Sequence, residues 1–222
     1  MELKLISTED GSHTLFHTDL NEHYHSSHGA IQESRHIFIE AGFRHIFHRP
    51  HQVNVFEVGF GTGLNAMLTL IEAETQGKAV LYTAIEAFPL GAEIWEHLNY
   101  PRMPGPVDYT GIFSGLHLAP WNQTVTISDK FSLHKLHLKL QDHQPPRDFF
   151  DLVYFDAFSP AVQPELWTAD IFIKILASMK PGALLTTYSV KGDVVRAMKT
   201  AGFRIEKIPG PPGKRQITRA TK

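Results

Sequence analysis

The sequence predicts a doubly wound α/β fold with a mostly parallel sheet, and three observations predict it. Short β-branched and aromatic runs recur at Val53–Val58, Ala79–Glu86, Val125–Ser128, Phe150–Phe155 and Ala183–Ser189. Each is followed by helical spacing, at Leu64–Glu74, Gly91–Leu98, Lys130–Leu140, Glu165–Ala177 and Asp193–Ala201, and strands that alternate with helices close into a parallel sheet through right-handed crossovers. The first strand also runs directly into three closely spaced glycines, at the place where open α/β sheets receive ligands.

Taken in order, Leu3–Ile6 and Thr14–His17 flank Asp10-Gly11 and read as a hairpin whose turn uses the positive φ that Asp-Gly tolerates. Ala30–Phe47 has broken helical spacing and reads as one helix or two short ones, ended by Pro50. These parts form an N-terminal extension, residues 1–50, on a main unit at 51–222, the whole being a single folding unit. Asn99–Gln123 reads as irregular and Gln144–Arg147 as a loop. Arg204–Ile208 and Arg215–Ala220 close the chain as an antiparallel pair at the sheet edge.

A chain of 222 residues with a net charge of -2 fits one globular domain with a sizeable core. No apolar stretch reaches the roughly 20 residues of a membrane helix, and Met1–Asp10 is charged where a signal peptide is apolar. A cytoplasmic protein is expected. The absence of cysteine removes thiolate catalysis and thiolate zinc sites, leaving oxygen and nitrogen groups to do the chemistry. From Lys191 onward nine basic residues face only Asp193 and Glu206, a balance that suits a polyanion or, more plainly, a solvated helix face.

The sequence from Glu57 to Asn65 sits where the first strand ends and the first long helix begins. Its glycines fall at 59, 61 and 63, whereas a dinucleotide fingerprint would need a small residue at Leu64. That spacing favours a nucleoside ligand without a pyrophosphate. Glu57 points the same way, because a carboxylate repels phosphate and pairs with an ammonium group such as that of a methionine moiety. Gly59, Phe60, Gly61, Gly63 and Asn65 complete the loop; alternatively it is a turn used only for packing. Glu86 ends the next strand, where an acidic side chain accepts from ribose hydroxyls. Asp129 ends the third and could accept from an adenine amino group or cap a helix.

The run Asp151–Phe155 delivers Asp156 to the same sheet edge as the glycine loop. An amine must be neutral to attack a methyl group on sulfur, and a nearby carboxylate can hold the ammonium form and take its proton. Asp156 is therefore the catalytic candidate, with a loop-fixing Asp as the plain alternative.

The chain resembles the MnmD family, which also forms the N-terminal part of bifunctional MnmC proteins. The likeness spans nearly the whole chain and rests on His28–Phe38 with its Arg35-His36 pair, Gly59–Asn65, Asp156-Ala157-Phe158-Ser159-Pro160 with Pro164–Trp167, and Lys191-Gly192 with Gly210–Arg215. His28 stands where the family commonly has Asn, and Ala157 where some members have Gly. The resemblance implies a class I S-adenosylmethionine-dependent methyltransferase fold, Rossmann-like and doubly wound, with an N-terminal hairpin and helix extension. It also implies S-adenosylmethionine as cofactor and methylation of 5-aminomethyl-(2-thio)uridine at the tRNA wobble position to the 5-methylaminomethyl form. The chain ends at Lys222, which leaves no room for the oxidase domain of bifunctional relatives, so a stand-alone enzyme without flavin is expected, acting after a separate enzyme that supplies the aminomethyl-uridine.

The expected RNA partner is the anticodon loop, read by stacking on aromatic side chains and held at its phosphates by Lys and Arg. Arg35, Lys214 and Arg215 are the candidate substrate contacts, Lys191 and Arg196 candidate phosphate contacts, and Phe158 a candidate stacking partner. His23, His25 and His28 fall close together, and His134 and His137 suit one helix face, but neither group supplies a full ligand set, so no metal is expected. Two other classes fit the pattern in part. A polyamine aminopropyltransferase would share the sheet and loop but be disfavoured by the basic tail, and a non-catalytic RNA-binding protein would have no use for Glu57 and Asp156 beside the loop.

Overall fold

A computed structural model describes residues 2–103 and 105–222. Strands β1 (Leu3–Ser7), β2 (His13–His17) and β3 (Glu22–His23) form a small antiparallel sheet. The hairpin turn is anchored by Asp10, whose carboxylate accepts from the backbone N–H groups of Ser12 and, across the chain, Gln32. Gln32 lies in the first turn of a continuous helical stretch, residues 30–46, made of α1 (Ala30–Ser34), a wide π-helical segment Arg35–Phe43 and α2 (Arg44–Ile46). The expected interruption of this helix is thus a widening of its turns, which lets Ile37, Phe38, Ile39 and Phe43 all be buried.

The main sheet has eight strands in the order β10-β11-β9-β8-β4-β5-β7-β6. Five of them, β9 (Met179–Thr187), β8 (Phe150–Phe155), β4 (Val53–Val58), β5 (Val80–Glu86) and β7 (Phe131–His137), run parallel. The chain starts at the centre with β4, proceeds outward through β5 and β7, then returns to the other side of β4 as β8. The strand order therefore reverses between β4 and β8. β10 (Arg204–Pro209) and β11 (Gln216–Thr221) form the antiparallel pair that the sequence predicts at the edge.

Period-two side chains feed two cores. Val53 and Val55 of β4 and Leu152 and Tyr154 of β8 point to the face covered by the 30–46 helix, α3 (Leu64–Thr75) and α5 (Thr110–Leu118). Phe56, Val58, Val153 and Phe155 point to the face covered by α6 (Ala169–Ser178) and α7 (Gly192–Ala201). Burial on both faces is why these central strands read as continuous apolar runs rather than as alternating ones.

Two expectations fail in the stretch after β5. The expected helix Gly91–Leu98 forms as a short α4 (Ala92–Trp95), but the stretch Asn99–Gln123, expected to be irregular, contains at Thr110–Leu118 the helix α5, whose Phe113 and Leu116 are buried; Gly111 and Gly115 had masked its apolar face. The predicted helix Lys130–Leu140 is strand β7. Phe131, Leu133 and Lys135 are buried in alternation, and the buried lysine hid the period of two. Val125–Ser128 is part of β6 (Thr124–Ser128), antiparallel to β7 at the sheet edge. His134 and His137 consequently lie on a strand, not on one helix face.

Candidate active site at the switch in strand order

A cavity of about 990 Å³ opens at the carboxyl ends of β4, β5 and β8, the crevice that the reversal in strand order creates. Its floor is the loop after β4. Gly59 has φ +91°, and a Cβ there would lie 2.8 Å from the backbone oxygen of Asp156, so only glycine lets the two loops meet this closely. Gly61 has φ +47° and lies under the ring of Tyr24. The Phe60 side chain, in contrast, is buried away from the cavity floor, edge-on to His117 and Trp121; what Phe60 offers a ligand is its backbone.

Thr62 fastens the loop from two sides. Its hydroxyl pairs with His25 Nε2 at 2.7 Å, and its carbonyl oxygen accepts from His117 Nε2 at 3.1 Å. Burial pushes His25 down to about 4 and His117 to about 3, so both rings are neutral near physiological pH. Beneath them Lys135 donates to the His117 carbonyl at 2.6 Å and lies 4.5 Å from the centre of the Trp121 ring and 5.2 Å from that of Phe60. Burial lowers the Lys135 ammonium to about 8. None of these supports was visible in the sequence, because they join segments that only the fold brings together.

Three carboxylates expected at the site are there. Glu57, at the end of β4, is 1% exposed, and its Oε2 has no hydrogen-bond partner in the protein, nor has Oδ1 of the neighbouring Asn65. Burial, with Asp156 and Glu86 adding to it, raises the Glu57 carboxyl well above the usual range. A buried acceptor of this kind is costly unless a donor meets it, and an ammonium group is the fitting donor. Glu86 accepts at Oε2 from the Gly61 N–H at 3.0 Å and at Oε1 from the Phe88 N–H at 2.9 Å, which fixes the carboxylate and leaves lone pairs for hydroxyl donors. Asp156, just past β8, accepts at Oδ2 from Asn65 Nδ2 at 2.8 Å. Its own N–H donates to Val58, at the start of the glycine loop. Burial lifts the Asp156 carboxyl to about 7, Glu33 pushes it the same way, and Asn65 and Lys214 pull it back.

Asp129 is not there. It is exposed in the turn between β6 and β7, where the neighbouring Lys130 carbonyl accepts from Val80 at the start of β5. It therefore sits at the amino end of the sheet, opposite the cavity. The error follows from taking β6 as the third parallel strand; the cavity wall on that side is the segment after β7, including Leu138 and Leu140.

The substrate candidates separate into two groups. Phe158 and Lys214 line the cavity. Phe158 stands edge-on to Tyr24 with ring centres 4.9 Å apart, and Trp167 Nε1 donates to its carbonyl at 2.8 Å. Lys214 Nζ lies 3.3 Å from Glu33 Oε1 and 5.2 Å from the centre of the Tyr188 ring. Arg35, Lys191, Arg196 and Arg215 are exposed outside the cavity. Arg35 lines a surface depression with Pro211 and Pro212, and Arg196 pairs with Asp193. The Gly210–Arg215 loop reaches the N-terminal extension, since His36 Nε2 donates to Pro209 oxygen at 2.9 Å and a Cβ on Gly213 would overlap the His28 ring. Two segments far apart in the sequence thus form one rim.

Among the described residues no three His, Asp or Glu side chains converge as a metal site, and no helix is long and apolar enough to cross a membrane. Among the cavity residues that sequence reading missed are Tyr24, Glu33, Phe88 and Tyr188. Glu33 lies within the His28–Phe38 block, where only Arg35 was singled out, Tyr188 follows a strand read only for packing, and Tyr24 belongs to an extension whose position above the loop no local pattern reveals.

Residues 119–222 match a family described as S-adenosyl-L-methionine-dependent methyltransferase. The chain is 30% identical, over 97% of its length, to the tRNA 5-methylaminomethyl-2-thiouridine biosynthesis bifunctional protein MnmC of Aromatoleum aromaticum, of which it covers 35%. Against the protein of that name from Campylobacter hominis it is 28% identical, covering 93% of this chain and 31% of that protein. The chain spans about a third of the length of the curated relatives it matches. The crystal structure of MNMC2 from Aquifex aeolicus superposes with a TM-score of 0.81 at 27% identity, covering 99% of this chain and 70% of that one. Spermidine synthase from Thermotoga maritima, at 11% identity and a TM-score of 0.53, shares the fold.

Proposed function

Because this chain carries a class I S-adenosylmethionine-dependent methyltransferase domain of the MnmC type, we propose that it methylates the amine of 5-aminomethyl-(2-thio)uridine at the tRNA wobble position. The observation that carries the reading is the meeting of Glu57, the glycine loop and Asp156 in one cavity at the switch in strand order.

The residues present suit the cofactor. Glu57 Oε2 and Asn65 Oδ1 are buried acceptors without protein donors, placed for the ammonium of a methionine moiety, and Glu86 is held ready for ribose hydroxyls. Gly59 and Gly61 leave the loop backbone open to a close ligand. When bound, S-adenosylmethionine supplies an electrophilic methyl group.

The protein's own part is to position the acceptor and move one proton. A protonated aminomethyl group meets the Asp156 carboxylate, which is held toward helix α3 by Asn65. Transfer of a proton from nitrogen to Asp156 leaves a neutral amine whose lone pair would form the new N–CH3 bond as the bond between that methyl and sulfur breaks, its electron pair staying on sulfur. A carboxyl poised near 7 is matched to that task at physiological pH. Phe158 and Tyr24 form an aromatic corner for the splayed uracil, and Lys191, Arg215 and Arg35 lie on the outer surface for phosphates. Methyl transfer itself uses no flavin, its acceptor amine comes from a separate preceding reaction, and a tRNA substrate suits action in the cytoplasm.

Competition between acceptors tests this reading. Aminomethyl-uridine tRNA should be methylated in the presence of excess spermidine or putrescine without loss of rate, and preferential modification of the polyamine would favour the aminopropyltransferase alternative.

A further inference from the structure

Three charged side chains from distant parts of the chain face the cavity of the proposed acceptor position. Glu33 comes from the helix of the N-terminal extension, Lys214 from the loop between β10 and β11, and Asp156 from the end of β8; all three line the one cavity. Glu33 is 12% exposed in its side chain, and both its oxygens are occupied, Oε1 by Lys214 Nζ at 3.3 Å and Oε2 by the Ser26 N–H at 2.8 Å. The Lys214 ammonium lies over the Tyr188 ring, and the Tyr188 hydroxyl donates to the Ala157 carbonyl at 2.9 Å, one residue past Asp156. The pair is thereby braced against the loop that carries the proposed base.

We propose that Glu33 is a positioning residue of the transfer site, which together with its counter-ion Lys214 sets how strongly Asp156 holds a proton. This inference rests on the reading of Asp156 as the proton acceptor for an amine. The other groups facing Asp156 are Asn65 from α3, Glu57 from β4, Tyr82 from β5 and Tyr188 after β9. Asn65 is neutral, burial raises the Glu57 carboxyl well above its usual range, and burial raises both tyrosines above theirs. Glu33 and Lys214 are the ion pair that acts on Asp156 from the facing rim of the cavity. Their effects oppose each other: the Glu33 carboxylate favours the protonated acid and the Lys214 ammonium favours the carboxylate. Because the ion pair joins the N-terminal extension to the Gly210–Arg215 loop, the proton affinity of the base depends on that rim being assembled.

The test is titration of the Asp156 carboxyl carbon by NMR in protein labelled with 13C at the aspartate carboxyl, assigned by comparison with Asp156→Asn. Glu33→Gln retains an oxygen for the Ser26 N–H, and its Asp156 midpoint should fall by about one pH unit. Lys214→Met should move the midpoint upward. The acid limb of the kcat profile should shift in the same direction in each variant, with affinity for S-adenosylmethionine unchanged. An Asp156 midpoint that stays put in both variants would overturn the proposal. The titration needs no RNA, so it remains decisive even if aminomethyl-uridine proves not to be the acceptor; that failure would show separately, as wild-type protein whose midpoint responds to Glu33→Gln but which does not methylate the tRNA.

Discussion

Asn65 Nδ2 donates to Asp156 Oδ2 at 2.8 Å, and this bond ties the first turn of the helix after the glycine loop to the carboxylate at the other side of the strand switch. Asn65 thus belongs to both halves of the site: its Nδ2 steadies the proposed base while its Oδ1 is turned, unpartnered, into the same buried region as Glu57.

Replacing Asp156 separates these halves. Asp156→Ala should abolish methyl transfer, a loss of at least about 100-fold on the scale of general base catalysis, while cofactor affinity by calorimetry stays within a few-fold of wild type. Normal turnover in this variant would remove Asp156 from the chemistry.

Gly61→Val should act on the opposite half. The residue has φ +47° and its Cβ would meet the Tyr24 ring at 3.5 Å, and a β-branched side chain in that region costs about 1–3 kcal/mol. We expect cofactor binding to be lost and the protein to remain folded by circular dichroism. Wild-type affinity would mean that the loop backbone is not part of the cofactor site.

Glu57 should make cofactor binding release a proton. Burial raises its carboxyl in the free protein, and an ammonium beside it favours the ionised form. The sign follows: below the raised value the group must shed its proton on binding, so affinity rises with pH and levels off above it. Calorimetry in buffers of different ionisation enthalpy should report proton release on cofactor binding in wild type, and a smaller release in Glu57→Gln. An equal release from both would relocate the proton to another group.

Lys191 and Arg215, both exposed, should contribute to tRNA affinity through phosphates. Each change to alanine should reduce the slope of log affinity against log salt by about one, without altering cofactor binding. An unchanged slope in both variants would take this surface out of the RNA footprint.

A structural control lies at the other end of the sheet. Asp151 is fully buried and accepts from Arg49 at 3.0 Å, Lys180 at 2.8 Å and the Asn54 N–H at 3.0 Å. Burial alone would raise its carboxyl, but Lys180, the Asn54 N–H and His51 Nε2, 3.1 Å away, hold it below 3.8. Its stabilising contribution is therefore complete above that value and lost as the pH falls through the lower folded-state one. Asp151→Ala should cost about 3–5 kcal/mol in denaturant unfolding with cofactor affinity retained.

How much of this was legible in the sequence differs by element. The strands β4, β5 and β8 and their carboxylates Glu57, Glu86 and Asp156 were read at their observed ends, because strands buried on both faces are continuous apolar runs and a carboxylate stands at or beside the carboxyl end of each. Asp129 was misplaced for the converse reason. β7 carries a lysine at a buried position, where a cation–π pocket of Phe60 and Trp121 substitutes for an apolar neighbour, so the strand lost its signature and β6 took its place in the reading. Tyr24 and Glu33 could not have been found from spacing at all. They reach the cavity because Asp10 holds the hairpin onto the start of the 30–46 helix, a long-range contact with no local pattern.

The most direct test of the central claim is transfer of labelled methyl from S-adenosylmethionine to tRNA from cells lacking this protein, followed by nucleoside analysis. Label in 5-methylaminomethyl uridine or its 2-thio form is the predicted result. Intact cofactor binding with no label in that nucleoside would contradict the proposed acceptor and leave the methyltransferase fold with a different amine to find.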